Sequence, residues 1–186
     1  MFTEKLLLRV RSASSITVLT GAGISAESGV PTFRGNDGLW QNKRFEELAH
    51  IDSFNRNPKE FWEFYAWRRD KLKDIKPNLG HFALVDIERH VDELTVITQN
   101  VDNLHRVAGT KHLIELHGNL NRDRCSKCNH SEMHRDKGPV VPACETCGGV
   151  MRPDVVLFGE ALDEKVLRKA QETSAMCEVF FSIGTS

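Results

Sequence analysis

One stretch near the amino end restricts the fold more than any other: residues 20–35, T-G-A-G-I-S-A-E-S-G-V-P-T-F-R-G. The β-branched and apolar run Ile16-Thr17-Val18-Leu19 feeds straight into Gly21-Ala22-Gly23. Such a run predicts a short buried strand, and the glycines let the backbone turn sharply beyond its end. Gly21, Gly23 and Ala26 fit a relaxed G-x-G-x-x-G/A pattern, in which free backbone N–H groups at a helix start point at a pyrophosphate. The same pattern also suits a plain glycine turn between strand and helix. Phe33 and Arg34 make the loop more specific by adding an aromatic ring and a guanidinium.

Further candidate strands lie at 94–98, 112–116, 154–158 and 178–183, mostly short, apolar and β-branched, as in a sheet buried on both faces. Helical patterns fall at 3–13, 58–74, 78–90 and 163–175, with Asn57-Pro58 and Asp163 as start signals. This alternation predicts an α/β fold with a parallel sheet. After the first strand the next convincing one begins only at Leu94. The intervening helical segment is rich in aromatics, including Trp40, and is too long for a simple crossover, so it is expected to belong to a smaller domain. The division expected is 1–35, 92–118 and 153–186 for a Rossmann-like dinucleotide-binding domain, 36–91 for the helical segment and 119–152 for a cysteine module.

The chain has 186 residues, 40% hydrophobic and 27% charged, with a net charge of −1. Those values describe a soluble globular chain with no global basic field to favour nucleic acid. No apolar run approaches the roughly 20 residues a membrane span needs, and residues 1–11 lack the apolar core and cleavage site of a signal peptide. The expected location is cytoplasmic.

Four of the five cysteines form two C-x-x-C pairs, Cys125/Cys128 and Cys144/Cys147, with fifteen residues between them. In a reducing compartment such pairs point to a metal. Four thiolates close a tetrahedral Zn²⁺ shell with no open position, so the ion would be structural. Gln99, Asn100 and Asp102 follow the strand 94–98, at the end where α/β proteins bind ligands; Asp102 could equally cap a helix at 102–107. His117-Gly118 follows the strand at 112–116, where an imidazole could serve as a general base or be a merely structural histidine. Tyr65 and Arg68 share a helix face. They could clamp a carboxylate or belong to an ordinary amphipathic helix. Residues 152–160, ending in Phe158-Gly159-Glu160, read as an edge for an extended peptide or another core strand.

Taken in order, these motifs resemble the sirtuins, NAD-dependent protein-lysine deacylases. The loop at 21–34, T-Q-N-V-D-N-L-H at 98–105, H-G at 117–118, the cysteine pairs, V-V-L-F-G-E at 155–160 and G-T-S at 184–186 follow the family's sequence of motifs, from about residue 14 onward. The resemblance implies NAD contacts by Gly21, Ala22, Gly23, Ala26, Phe33, Arg34, Trp40, Gln99, Asn100, Val101, Asp102, Gly184, Thr185 and Ser186. It implies His117 as general base, Cys125, Cys128, Cys144 and Cys147 as ligands of one Zn²⁺, and Val156, Phe158, Gly159 and Glu160 as the peptide groove. Tyr65 and Arg68 resemble the Y-x-x-R pair of the desuccinylase and demalonylase subgroup and would read an acyl carboxylate. The implied partners are acyl-lysine proteins or peptides, with no nucleic acid and no membrane, and the oligomeric state stays open. The implied reaction transfers the acyl group to ADP-ribose, releasing nicotinamide and free lysine. Family members continue past residue 186 with further strands and a helix. The expectation is therefore a Rossmann-like sheet lacking its C-terminal strands, with a compromised adenine side. The alternative function is an impaired sirtuin fragment that only binds acyl-lysine peptides or partners.

Overall fold

The computed structural model describes residues 3–31, 43–135 and 140–185. Four parallel strands form the larger sheet in the order β3-β2-β1-β7: β1 (Ser15–Thr20), β2 (Glu93–Thr98), β3 (Leu113–Glu115) and β7 (Val179–Ile183). In register, Thr20 pairs with both Thr98 and Ile183, and Thr98 with Glu115. The carboxyl ends of these strands therefore lie level, which sets up a shared rim for a ligand.

Alternation along β1 explains why helices cover both faces. Ile16 and Val18 pack with Leu84, Leu94 and Val96 in one core, against residues of α1 (Glu4–Ser12) and α6 (Leu79–Glu88). Leu19 points the other way, into the cluster of Ile97, Ile114 and Ala170 beneath α8 (Glu164–Met176). The starts foreseen for these helices form real caps. Asn57 accepts from Glu60 N–H at the head of α5 (Pro58–Leu72), and Asp163 accepts from the N–H groups of Lys165 and Val166.

The smaller unit joins the helical segment to the cysteine module. Its antiparallel sheet runs β5-β4-β6, with β4 (Gly118–Cys125), β5 (Ser131–Met133) and β6 (Met151–Val155). Against it pack α3 (Lys43–Leu48), α4 (Ile51–Arg56) and α5 through a core of Phe45, Phe54, Phe61, Trp62, Phe64, Tyr65, Leu120 and Met151. Each fully buried aromatic there contributes about 1.5–3 kcal/mol. Trp62 also donates from its indole nitrogen to the Met151 carbonyl at 2.9 Å.

One expected strand is misplaced. The segment 154–158 is not a strand of the parallel sheet; the strand is β6, Met151–Val155, and it pairs antiparallel with β4. After Val155 the backbone leaves the sheet. Val156 N–H donates to the His117 carbonyl, while Phe158 exchanges hydrogen bonds with Ala49 and Ile51. The apolar run 155–158 thus bridges between the two units instead of crossing the larger sheet. The helix foreseen at 102–107 begins two residues later, as α7 (Leu104–Ala108).

Candidate active site

Two cavities open beside each other along the rim of the parallel sheet. The first, about 330 Å³, is lined by Ala22 and Val30 of the glycine loop, by Asn100, Val101 and Asp102 after β2, and by Trp67, Arg68, Lys71, Leu72 and Ile75 along α5 and its end. The second, about 320 Å³, is lined by Tyr65, Arg68, Gln99, Val101 and His117 and by residues 155–160. Arg68 and Val101 belong to both, so they form the shared wall.

His117 reaches the second cavity because Gly118 starts β4 at a φ of +79°, where any side chain would strike the Asp154 carbonyl. The His117 imidazole uses Nδ1 on the Gln99 carbonyl at 2.8 Å. A carbonyl only accepts, so Nδ1 carries the proton and Nε2 keeps its lone pair. Burial pushes the imidazole below its ordinary value, only partly offset by that hydrogen bond. A neutral ring with a free lone pair is what a general base near pH 7 requires.

The wall of the first cavity is a buried polar network. Asn100 is 8% exposed and donates from Nδ2 to the Gly21 carbonyl at 3.0 Å and to Ser25 Oγ at 3.2 Å. Ser25 Oγ in turn donates to Asp102 Oδ2 at 2.7 Å, and Asp102 Oδ1 accepts from Leu104 N–H at 2.9 Å. Asp102 thus faces the cavity and starts α7 at once. The residue between them, Asn103, takes a left-handed φ of 70°, strain concentrated at the site rim. Behind this layer, His81 lies 3.4 Å from Ser25 Oγ, and its ring sits 4.8 Å from that of His105. His105 Nε2 bonds Thr20 Oγ1, which donates to Thr98 Oγ1. Burial, reinforced by the neighbouring His81, pushes His105 down to about 4, so this inner layer stays uncharged at neutral pH.

The Arg68 guanidinium lies over aromatic rings, 5.1 Å from the Phe45 ring centroid and 5.4 Å from that of Tyr65. Burial lowers the Arg68 value and raises that of Tyr65. Among the described residues no carboxylate pairs with Arg68, which lines both cavities.

In the cysteine module the sulfur atoms of Cys125, Cys128, Cys144 and Cys147 all lie within 4.8 Å of one another. The Cys125–Cys147 and Cys128–Cys144 separations are 3.5 and 3.7 Å. Four sulfurs at about 2.3 Å from one tetrahedral centre would stand at such spacings. The Lys127 backbone N–H beside its sulfur is the main reason that the Cys125 thiol falls to about 6, which favours the thiolate a metal needs. The donor set fits a structural Zn²⁺.

The Sir2 family profile matches residues 21–186. The chain belongs to the Sir2 family. A protein of Pyrococcus furiosus named NAD-dependent protein deacylase is 48% identical over 186 residues, covering 96% of this chain and 74% of that protein. One of the same name from Aquifex aeolicus is 49% identical over 174 residues, covering 92% and 73%. The fold matches a Sir2 homologue solved as a NAD complex, with a TM-score of 0.90 at 44% identity, over all of this chain and 73% of that one. It also matches a Sir2–p53 peptide–NAD⁺ complex, with a TM-score of 0.83 at 35% identity, over 100% and 76%. The chain thus spans about three quarters of the length of these Sir2 relatives.

Against this Sir2 frame the expected residues separate into three groups. Ala22, Asn100, Val101 and Asp102 line the first cavity, and Tyr65, Arg68, Gln99, His117, Val156, Phe158, Gly159 and Glu160 line the second. Gly21, Gly23, Ala26, Gly184 and Thr185 line neither. The N–H groups of Gly21 and Gly23 are not free for a pyrophosphate, because they donate to the carbonyls of Ile183 and Gly184 at 3.1 and 2.8 Å. A Cβ on Gly23 would lie 2.7 Å from Gly184 Cα, so here the glycine serves the approach of that segment. Phe33, Arg34, Trp40 and Ser186 lie outside the described residues. Glu160 has a structural duty as well. It accepts from both terminal nitrogens of Arg152, at 2.6–2.7 Å, and from Leu157 N–H. Sequence reasoning missed Ser25, His81 and the α5 residues Trp67, Lys71 and Leu72. The helical spacing of Arg68, Leu72 and Ile75 was the available signal for the last group.

Proposed function

We propose that the chain is an NAD-dependent protein-lysine deacylase that releases nicotinamide and O-acyl-ADP-ribose. The observation that carries this reading is the shared wall: the Asn100–Asp102 cavity and the His117 cavity meet at Val101 and Arg68. A ribose held by Asn100 and Asp102 would meet an acyl-lysine entering along residues 156–160, in the orientation that makes a bimolecular step effectively unimolecular. The acyl oxygen displaces nicotinamide from the ribose C1′, and His117 Nε2, neutral and open to the cavity, then takes a proton from a ribose hydroxyl so that it can attack the acyl carbon, from which the lysine amine leaves. Ala22 and Gln99 complete the nucleotide side, with Gly21, Gly23, Ala26, Gly184 and Thr185 shaping the loop behind it. A Zn²⁺ held by the four cysteines would cross-link the small sheet, and four thiolates would leave it no coordination position for substrate. The names of the relatives from Pyrococcus furiosus and Aquifex aeolicus support the same activity.

The acyl preference within this reading is for a dicarboxylic chain, succinyl or malonyl. Arg68 lacks an acidic partner among the described residues, and it stands at the cavity wall against the Tyr65 ring. The bidentate geometry of a guanidinium suits a terminal carboxylate. No helix of the described residues is long and apolar enough to cross a membrane, and we read the setting as cytoplasmic.

Nicotinamide release from NAD with a succinyl-lysine peptide tests the activity. The wild-type chain should turn over, and His117→Ala should lose at least 100-fold in kcat, on the order of a general base's contribution. Because burial depresses the His117 imidazole, kcat/KM should hold as pH falls past the ordinary imidazole value and decline only below it. Nicotinamide release equal in wild type and variant would sink the catalytic reading and leave a peptide-binding role.

A further inference from the structure

Arg68 and Arg69 are neighbours on α5 with opposite circumstances. Successive helical residues point about 100° apart, so the two guanidinium groups leave the helix on different faces. Arg68 faces the cavities, its guanidinium over the rings of Phe45, Phe64 and Tyr65. Arg69 faces the small sheet and is held from several sides. Its Nε donates to the Leu120 carbonyl at 2.7 Å, and Nη2 donates to Asp123 Oδ1 at 2.6 Å and to the Arg122 carbonyl at 3.3 Å. The Trp62 ring lies 5.3 Å beneath it. His134 Nδ1 stands 2.7 Å from Asp123 Oδ2 and 2.9 Å from Arg69 Nη1, so it donates to the carboxylate or accepts from the guanidinium, one at a time. The Arg69 and Asp123 side chains are 9% and 5% exposed, which makes this a desolvated clamp and not a surface pair.

We infer that Arg69 is a positioning residue for acyl-group choice: by pinning α5 to β4 it fixes where the Arg68 guanidinium meets the acyl carboxylate. The inference rests on the carboxylate-reading role of Tyr65 and Arg68 stated above. The clamp fixes both the rotation and the axial position of α5, because its contacts reach three stations of β4 (Leu120, Arg122 and Asp123) from one planar fork. The aromatic packing of α5 offers no such register. Phe61, Phe64 and Tyr65 lie in a core of aromatic side chains, where apolar attraction is non-directional. A charge-assisted hydrogen bond to a carboxylate depends on that register, whereas an acetyl group, which offers no carboxylate, does not call on Arg68 at all. Lysine at position 69 would keep the charge beside Asp123 but lose the fork.

The test is fluorescence anisotropy of the full chain, with NAD present, using one labelled peptide carrying either succinyl-lysine or acetyl-lysine. Wild type, Arg69→Lys and Arg68→Met are compared, with thermal melting of each. For Arg69→Lys we expect the succinyl peptide to bind roughly tenfold more weakly, the cost of slackening one charge-assisted contact, while the acetyl peptide stays within about twofold. A purely structural role would weaken both peptides alike and leave their ratio unchanged, and that result overturns the inference. Arg68→Met separates the two levels. If it leaves the succinyl-to-acetyl ratio at the wild-type value, the carboxylate-reading role falls and the inference with it. If Arg68→Met collapses the ratio and Arg69→Lys does not, only the positioning role is overturned. Should Arg69→Lys fail to melt cooperatively, Asp123→Asn decides in its place, since it weakens the same clamp from the strand side. It should move the ratio in the same direction, and an unchanged ratio overturns the inference.

Discussion

The two sheets are built on opposite principles. In the parallel sheet, β1 and β2 are buried through apolar and threonine side chains, and Ile16, Val18, Leu94, Val96 and Ile97 are each at most 2% exposed. In the small sheet the buried side chains include Asn119, Asp123 and Arg152, at 2–3% exposure, and β4 reads G-N-L-N-R-D-R-C. The first sheet is held by dispersion and the removal of apolar surface from water. The second adds, to the aromatic core it shares with α3, α4 and α5, charges that must find one another and four sulfurs that converge on one point. A sheet of the first kind tolerates changes of partner among similar side chains. One of the second kind fails when a single member of a pair is removed.

The sharpest way to break the small sheet alone is to remove its metal. A chelator strong enough to strip Zn²⁺ withdraws binding energy on the order of 10 kcal/mol, more than any one side chain contributes. Hydrogen exchange should then show protection lost across β4, β5 and β6 while β1 and β2 keep theirs. Simultaneous loss in both sheets would show that the two are a single cooperative unit.

Leu94→Ala probes the other side. Leu94 is 1% exposed between the strands and α6, so truncation should cost about 2–5 kcal/mol. Chemical denaturation should report that loss, with zinc content unchanged in the native protein.

Arg152→Met comes next. Its guanidinium is 3% exposed and paired with Glu160. Because the Glu160 side chain keeps 20% of its exposure, the carboxylate left behind can rehydrate in part, and about 2–3 kcal/mol is expected instead of the full penalty of a buried pair. The loss should fall on the small sheet and on the 157–160 turn, read as weaker peptide binding along with the lower melting point.

The smallest effect should come from the seam. Glu115, on β3, accepts from Arg106, Asn119 and Arg122 and so joins the parallel sheet to β4. Burial pushes its carboxyl up, but the hydrogen bonds from Arg106 and Asn119 and the Arg122 charge outweigh it and hold the value below the ordinary one. A depressed carboxyl contributes stability that is fully present above the unfolded value and is lost as pH falls through the folded one. Glu115→Gln should therefore cost about 1 kcal/mol at neutral pH and flatten stability against pH below about 4.5. An unchanged acid slope would mean that other carboxylates govern it.

The same contrast explains what the sequence revealed. Ile16 to Leu19 and Leu94 to Thr98 announce strands because β-branched side chains suit a doubly buried sheet. The cysteine pairs announce a metal because ligand spacing is local. β4 gave no such sign: a polar octapeptide becomes a strand only when Asp123 finds Arg69 and Arg122 finds Asp154 and Glu115, contacts that no window of sequence contains. The apolar run 155–158 misled for the converse reason. It has a strand's composition, but its hydrogen bonds go to His117, Ala49 and Ile51. The places of His117, Asn100 and Asp102 at cavity walls were legible from their positions after strands, whereas Ser25 and His81 meet from segments 56 positions apart.

The embrace between the glycine loop and the residues after β7 also bears on how the chain folds. Gly23 N–H meets the Gly184 carbonyl across roughly 160 positions, a separation that raises contact order and slows formation. On a ribosome, the loop emerges early and must wait for that distant strand before its backbone can settle. Until then Gly21 to Ser25 have only the side chains of Asn100 and Asp102 to hold them, and the nucleotide side of the site should be among the last parts of the molecule to mature.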